Sequence, residues 1–167
     1  MQDDYPVPVR VHGLVVPDLL LVLLRAGRWN HPGERAIARI MPWFRDPLEF
    51  LGSIQQIERE SQSFSRLIQD DEMAALFRLA REPAATSPVE LPWLDVDRAF
   101  FIAMAQYAGD DTAVALDYRT SSSDPRVVAS DVWTGPAPCA WRTVAETFSE
   151  FVAELRLDGA DAEPAAP

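Results

Sequence analysis

The stretch that decides the fold is the apolar run Ala99-Phe100-Phe101-Ile102-Ala103-Met104-Ala105, followed by the turn Gly109-Asp110-Asp111. A second apolar run, Thr112 to Tyr118, comes directly after this turn. A third, Arg126 to Val132, follows a loop rich in Ser, Asp and Pro. Short apolar runs bounded by turn residues are typical of β-strands, and a Gly-Asp turn between two of them indicates a hairpin. We therefore predict three consecutive antiparallel strands.

Helical patterns precede these strands. After an extended segment with one edge strand over Val9 to Val15, a helix is predicted to begin at Pro17 and to end near Gly27, because proline is tolerated at the first helical position and glycine ends helices. A short helix is predicted from Glu34 to Met41. A third is predicted from Asp46-Pro47-Leu48-Glu49, which has the form of a capping box.

A C-terminal helix is predicted over Val144 to Arg156, where Thr143 and Glu146 have the spacing of a capping box. The apolar side chains that share one face of this helix are Val144, Phe148, Phe151, Val152 and Leu155. Residues 76–80 are compatible with either a strand or a helix, and residues 82–90 indicate a loop. These patterns predict an α+β fold, with an antiparallel sheet flanked by N-terminal helices and a C-terminal helix.

The chain of 167 residues is expected to form one domain over residues 1–157, followed by a disordered tail over residues 158–167. Its single cysteine, Cys139, excludes an intramolecular disulfide bond. The acidic start Met1-Gln2-Asp3-Asp4 lacks the basic residues of a secretory signal. The run from Leu14 to Leu24 is too short to cross a bilayer. We expect a cytoplasmic protein that does not contact a membrane.

The net charge of −11 is distributed unevenly. Residues 1–89 carry 12 acidic residues and 10 arginines, whereas residues 90–167 carry 14 acidic residues and 5 arginines. An acidic surface repels nucleic acid, because phosphate binding needs clustered cations, and it attracts a basic protein. The sequence leaves open the alternative that the acidity only keeps the protein soluble.

Four aspartates lie near the ends of the predicted strands, namely Asp110, Asp111, Asp117 and Asp131. Clustered carboxylates could perform acid–base chemistry or bind a divalent cation, but their spacing matches no calcium loop. The alternative is that Asp110 and Asp111 form a hairpin turn while Asp117 lies on a solvated face of the sheet. No Gly-rich phosphate loop or nucleophile elbow is present in the sequence. We therefore expect no catalytic residue, no metal and no cofactor, and an enzyme is the least favoured of our hypotheses.

Two of the five tryptophans, Trp133 and Trp141, flank a Pro-rich loop, where a side chain is harder to bury. Tryptophan is common in protein cores, and it is also enriched among the residues that carry most of the binding energy at interfaces. We take Trp133 and Trp141, together with Asp110, Asp111 and Asp117, as candidate partner-binding residues.

Residues 98–155 of the chain resemble the SUKH superfamily, and the rest of the chain resembles it loosely. In that superfamily an Ile-Ala strand, a Gly-Asp turn and a Leu-Asp strand lead to a late strand and a helix. The segments here that carry the resemblance are Phe101-Ile102-Ala103, Gly109-Asp110-Asp111, Val114-Ala115-Leu116-Asp117 and Val144-Ala145-Glu146-Thr147-Phe148-Ser149-Glu150-Phe151. The chain departs from the family pattern at Gln106-Tyr107-Ala108, where members often carry glycines, and its region 42–90 is longer.

This resemblance implies a non-enzymatic α+β module that binds proteins. Bacterial members look like immunity proteins that neutralise toxins, many of them nucleases or nucleobase deaminases, and fungal members look like cell-wall signalling regulators. Combined with the acidity, the resemblance implies an immunity-type protein with a basic toxin domain as its partner. A general regulatory or scaffolding module without a toxin partner stays open.

Overall fold

The computed structural model describes residues 7–67, 79–80, 91–107, 112–136 and 139–159. Within these ranges the α-helices are α1 (Asp18–Arg25), α2 (Glu34–Ile40), α3 (Ile54–Leu67) and α4 (Phe148–Glu154), and a short 3-10 helix covers Val96–Arg98. The strands are β1 (Arg10–Val11), β2 (Leu14–Val15), β3 (Leu48–Phe50), β4 (Leu79–Ala80), β5 (Leu94–Asp95), β6 (Ala99–Ala105), β7 (Ala113–Asp117), β8 (Arg126–Asp131) and β9 (Ala140–Ala145).

The central element is an antiparallel sheet with the strand order β3-β6-β7-β8-β9, five strands within the described residues. Strands β6, β7 and β8 lie in the three apolar runs from which they were predicted. Every residue of β7 is buried, which shows that both faces of the sheet are covered at its centre. The predicted α+β fold, with an antiparallel sheet flanked by N-terminal helices and a C-terminal helix, is confirmed.

The N-terminal segment is a hairpin, and the single edge strand predicted over Val9 to Val15 is wrong. Strands β1 and β2 pair antiparallel around His12 and Gly13, which both have positive φ, 51° and 75°. Two consecutive residues with positive φ form the kind of turn that matches the twist of a hairpin. Helices α1 and α2 lie where they were predicted, and Gly27, with φ 64°, follows α1.

The helix predicted to start at Asp46 is wrong, because the residues after it form strand β3. In β3 the apolar side chains alternate with exposed Glu49, and the strand pairs with the end of β6. The helix that follows begins later and has a different cap: the backbone N–H of Gln56 donates to the hydroxyl of Ser53 at 3.1 Å. The side chain of Gln56 in turn accepts a hydrogen bond from the N–H of Gly52 at 2.9 Å. These reciprocal bonds satisfy donors at the start of α3.

The C-terminal helix is shorter than predicted because its first residues belong to β9. The sequence contains two consecutive capping boxes, one from Thr143 to Glu146 and one from Thr147 to Glu150. The structure uses the second: the N–H of Glu150 donates to the hydroxyl of Thr147 at 3.1 Å, and its carboxylate accepts from the N–H of Glu146 at 3.2 Å. Thr143 instead pairs with β8.

A buried tryptophan joins the helices to the sheet. The ring of Trp29 lies 4.8 Å from that of Phe50, 5.7 Å from Phe148 and 6.3 Å from Phe151, measured between centroids. Its indole N–H donates to the carbonyl of Ile102 at 3.4 Å. Strands β3 and β6 and helix α4 therefore pack around one side chain from the segment that follows α1.

Helix α3 contacts the sheet through a buried serine. Strand β3 pairs only with the last part of β6, from Ala103 onward. Earlier in β6, the backbone N–H of Phe101 donates to the hydroxyl of Ser61 at 3.0 Å, with both groups buried. The Ser61 hydroxyl of α3 thus accepts the hydrogen bond that a backbone carbonyl would accept if β3 were longer.

Several predictions fall wholly or partly outside the described residues. Residues 79–80 form β4, which runs parallel to β5, so this part of the ambiguous segment is a strand. Residues 76–78, the loop over residues 82–90, the turn over residues 109–111 and the tail from residue 160 lie outside the described part of the chain.

Candidate functional site

The two ends of the sheet carry different polar groups. Because neighbouring strands are antiparallel, β3 and β7 begin at the end where β6 and β8 finish. We call this end the aromatic end; it comprises Trp43, Phe44, Tyr107, Asp131, Val132, Trp133 and Arg142. Asp117 lies at the opposite end, opposite Arg126, whereas Asp131 lies opposite Ala140. The two aspartates therefore do not form the cluster that the sequence suggested.

The prediction of a solvated sheet face at Asp117 is wrong, because the structure buries this carboxylate completely. The Arg119 side chain reaches both of its oxygens, with Nε 2.8 Å from one and a terminal nitrogen 2.9 Å from the other. Arg126 donates to the second oxygen at 2.5 and 3.1 Å. Arg119 also donates to the carbonyl of Trp93 at 3.0 Å, so the same group ties β7 to the segment before β5.

The electrostatic environment keeps Asp117 ionised. Burial by itself raises the pKa of Asp117, but the hydrogen bonds and charges of Arg119 and Arg126 outweigh it and hold this pKa below its ordinary value of 3.8. Both oxygens of this buried carboxylate are already paired with guanidinium groups, so they are not available to a partner. Asp117 is therefore a structural ion-pair residue in this fold and is removed from the candidate partner contacts.

At the aromatic end, Asp131 organises the chain that follows β8. One oxygen of this buried carboxylate accepts hydrogen bonds from the backbone N–H groups of Trp133 at 2.9 Å and of Thr134 at 3.0 Å. The other accepts from the Thr134 hydroxyl and, at 3.1 Å, from the guanidinium of Arg142 on β9. Burial raises the pKa of Asp131, but these bonds from Thr134, Trp133 and Arg142 together hold it below 3.8.

Aromatic side chains pack around this carboxylate network. The guanidinium of Arg142 lies 4.0 Å from the centre of the Trp43 ring, within the range of a cation–π interaction. The indole N–H of Trp43 donates to the carbonyl of Ser130 at 3.2 Å. The ring of Trp133 meets that of Phe44 edge to face, with the centroids 5.0 Å apart. The segment before β3 and the loop after β8 thus form one packed unit.

Part of the aromatic end is exposed to solvent. Tyr107, just after β6, is 60% exposed, and Val132 is 39% exposed. Trp133 is only partly buried. Trp141, in contrast, is 2% exposed and stacks on Phe101 with the ring centroids 6.5 Å apart. The burial of Trp141 therefore argues against the prediction that it serves a partner surface, whereas Trp133 is placed where such a contact is possible.

The remaining predicted contacts, Asp110 and Asp111, lie outside the described residues. The described residues Gln106 and Thr112, which lie before and after them in the chain, are hydrogen-bonded to the segment before β3. The Thr112 hydroxyl donates to Asp46 at 2.5 Å, and the N–H of Gln106 donates to the carbonyl of Pro47 at 2.8 Å.

The sequence analysis missed an acidic face on the C-terminal helix. Glu146, Glu150 and Glu154 are all exposed, and their spacing of four residues places Glu150 and Glu154 on the same side of α4. A shallow groove of about 450 Å³ lies beside them, and Arg39 from α2 donates across it to the backbone carbonyl of Glu154. The four-residue spacing is visible in the sequence and could have predicted this face once the helix was assigned.

Neither a metal cluster nor a membrane span is found in the described ranges. No group of three or more His, Cys, Asp or Glu side chains among the described residues is arranged to hold a metal ion. The helices of the described part are too short or too polar to cross a lipid bilayer.

Comparisons with known proteins return no relative of this chain. No protein-family model matches it, and neither does any curated protein or any solved structure.

Proposed function

We propose that this chain is a non-enzymatic protein-binding module of the immunity type, which binds and neutralises a toxin domain. The observation that carries the protein-binding part is the aromatic end, where Trp133 and Val132 are partly exposed on a loop that is hydrogen-bonded to the buried carboxylate of Asp131. Tryptophan is strongly enriched among residues that dominate binding energy, and a side chain that is already ordered loses little entropy when a partner binds.

The toxin part of the proposal is supported by charge and by the resemblance to the SUKH superfamily. The second half of the chain has a large excess of acidic residues, and the structure exposes three of them, Glu146, Glu150 and Glu154, around α4. An acidic protein binds a basic partner faster because the opposite charges steer their encounter. Asp110 and Asp111 remain candidate contacts on sequence grounds alone.

A toxin inhibitor and a general regulatory module would use the same kind of surface. Both would bury roughly 1,200–2,000 Å² in total if the complex is stable and specific. They differ in the activity of the protein that is bound: a nuclease or deaminase would be inhibited by the chain, whereas a regulatory partner would have no toxic activity to inhibit.

The test combines capture with an activity assay. The full chain is used to capture partners from a lysate of its host at low salt and again at high salt, and each captured protein is purified. It is then assayed as a nuclease and as a nucleobase deaminase, with and without an equal amount of the chain. We expect one basic protein, bound less tightly at high salt, whose activity the chain abolishes.

Variants localise the contact. Trp133→Ala and Val132→Ser are compared with Val22→Ser, a matched control because Val22 is 54% exposed on α1 and lies outside the aromatic end. We expect Trp133→Ala to weaken binding at least about tenfold, which corresponds to about 1.4 kcal/mol, while Val22→Ser leaves it unchanged. Binding that is equal in all three variants would refute the aromatic end as the docking surface. A captured partner whose activity the chain does not change would refute the immunity role.

A further inference from the structure

We infer that Asp131 is a positioning residue for the docking surface, because its buried carboxylate holds Val132 and Trp133 in the arrangement that a partner contacts. This inference rests on the proposed function and extends it from the residues that touch a partner to the residue that orients them. Asp131 itself is only 3% exposed and cannot make the contact directly.

The first step of the argument is the geometry of the loop. The oxygen of Asp131 that accepts the N–H groups of Trp133 and Thr134 closes a tight turn immediately after β8. Such a turn sets the backbone direction at Val132 and Trp133, and therefore the direction in which their side chains leave the loop. Val132 is exposed to solvent, whereas the Trp133 ring packs edge to face against the ring of Phe44.

The second step is the link to the neighbouring strand. The other oxygen of Asp131 accepts from Arg142, whose guanidinium also lies over the ring of Trp43. Trp43 is held in turn by its hydrogen bond to the carbonyl of Ser130. One carboxylate therefore joins the loop that carries Trp133 to the tryptophan of the segment before β3. Removing both oxygens of this carboxylate is expected to loosen the loop that carries Trp133 and the packing of Trp43.

A purely structural role for Asp131 makes a different prediction. If the carboxylate only stabilised the fold, its loss would lower the free energy of unfolding but leave the folded arrangement of the aromatic end unchanged. If it positions Trp133, its loss changes the surroundings of Trp133 and Trp43 in a protein that is still folded. The readout must therefore report on individual tryptophans.

The experiment uses the full chain labelled with 5-fluorotryptophan, in which each resonance is assigned by replacing one tryptophan with phenylalanine. In Asp131→Ala, which removes both acceptor oxygens, we expect the fluorine resonances of Trp133 and Trp43 to shift or broaden. The resonances of Trp29 in the core and of Trp93 beside Arg119 should stay unchanged. Thr134→Ala, which removes only the hydroxyl donor to the same carboxylate, should give a smaller change of the same kind.

Partner affinity provides the second readout. We expect Asp131→Ala to weaken binding about tenfold, because a disordered tryptophan must be ordered again when the partner binds. If Trp133→Ala abolishes binding while Asp131→Ala changes neither the resonances nor the affinity, the positioning role is overturned and the proposed function stands. If Trp133→Ala leaves binding unchanged, the docking surface itself is wrong. Shifts of equal size at Trp29 and Trp93 would also overturn the inference, since they indicate a general loss of structure.

Discussion

Replacing Asp117 by alanine is expected to destabilise the fold by about 3–5 kcal/mol, the usual cost of removing one partner from a buried ion pair. The mutation would leave the side chains of Arg119 and Arg126, only 9% and 13% exposed, beside an empty site with no carboxylate to accept their hydrogen bonds. Screening by solvent is weak at such low exposure. The estimate therefore needs no large reduction of the kind that applies to surface ion pairs.

The same contacts show which residues must be replaced together to restore the lost stability. Asp117 accepts bonds from the side chains of both arginines, and Arg119 additionally holds the carbonyl of Trp93. Replacing all three charged residues by Leu and Met of similar volume removes the buried charges together. That triple variant should recover a large part of the stability that Asp117→Ala loses, because hydrophobic replacement of a buried ion group is often neutral or stabilising.

The assay is urea unfolding of the full chain at pH 7, followed by circular dichroism and by tryptophan fluorescence. Asp97→Ala serves as the matched control, because Asp97 is exposed on the 3-10 helix before β6 and its loss should change the free energy of unfolding by less than about 0.5 kcal/mol. A loss below about 1 kcal/mol for Asp117→Ala would refute the reasoning, since it would mean that the two arginines find water or other acceptors at no cost.

Three further outcomes follow from the same contacts. The pKa values of Asp117 and Asp131 are held below 3.8, so their contribution to stability is fully present above that pH. It is lost as the pH falls from there through the lower folded-state values, and urea unfolding between pH 6 and pH 2 should show this loss. Thr147→Ala removes the cap of α4 and should cost about 1 kcal/mol, whereas Thr147→Ser should restore most of it in the same assay. Ser61→Ala leaves a buried backbone N–H of β6 without its acceptor and should cost about 1–3 kcal/mol; amide hydrogen exchange at that group would accelerate, and unchanged exchange would contradict the assignment.

The local elements that were predicted well are those whose signals lie within a few neighbouring residues. The apolar runs of β6, β7 and β8 and the turn signals between them could be read directly, and so could α1 with its proline start and the glycine after it. Strands β3 and β9 could not be predicted from local signals of this kind. In both places apolar residues at helical spacing, together with a capping-box pattern such as Thr143 to Glu146, favoured a helix. The hydrogen bonds that make these segments strands come from β6 and β8, and no local pattern contains them.

For the candidate site, the sequence by itself determined which chemistry is available: an acidic second half, arginine as the only strong cation, and tryptophans beside a Pro-rich loop. Only the tertiary structure decided which of these groups a partner can reach. Asp117 and Trp141 looked accessible in sequence but are buried, Asp117 because the β7–β8 pairing brings Arg126 against it and Trp141 because it stacks on Phe101. Trp133 is only partly buried, on a loop whose turn is closed by hydrogen bonds to the carboxylate of Asp131. Burial depends on contacts between residues far apart in the chain, and the sequence pattern around one residue does not contain them.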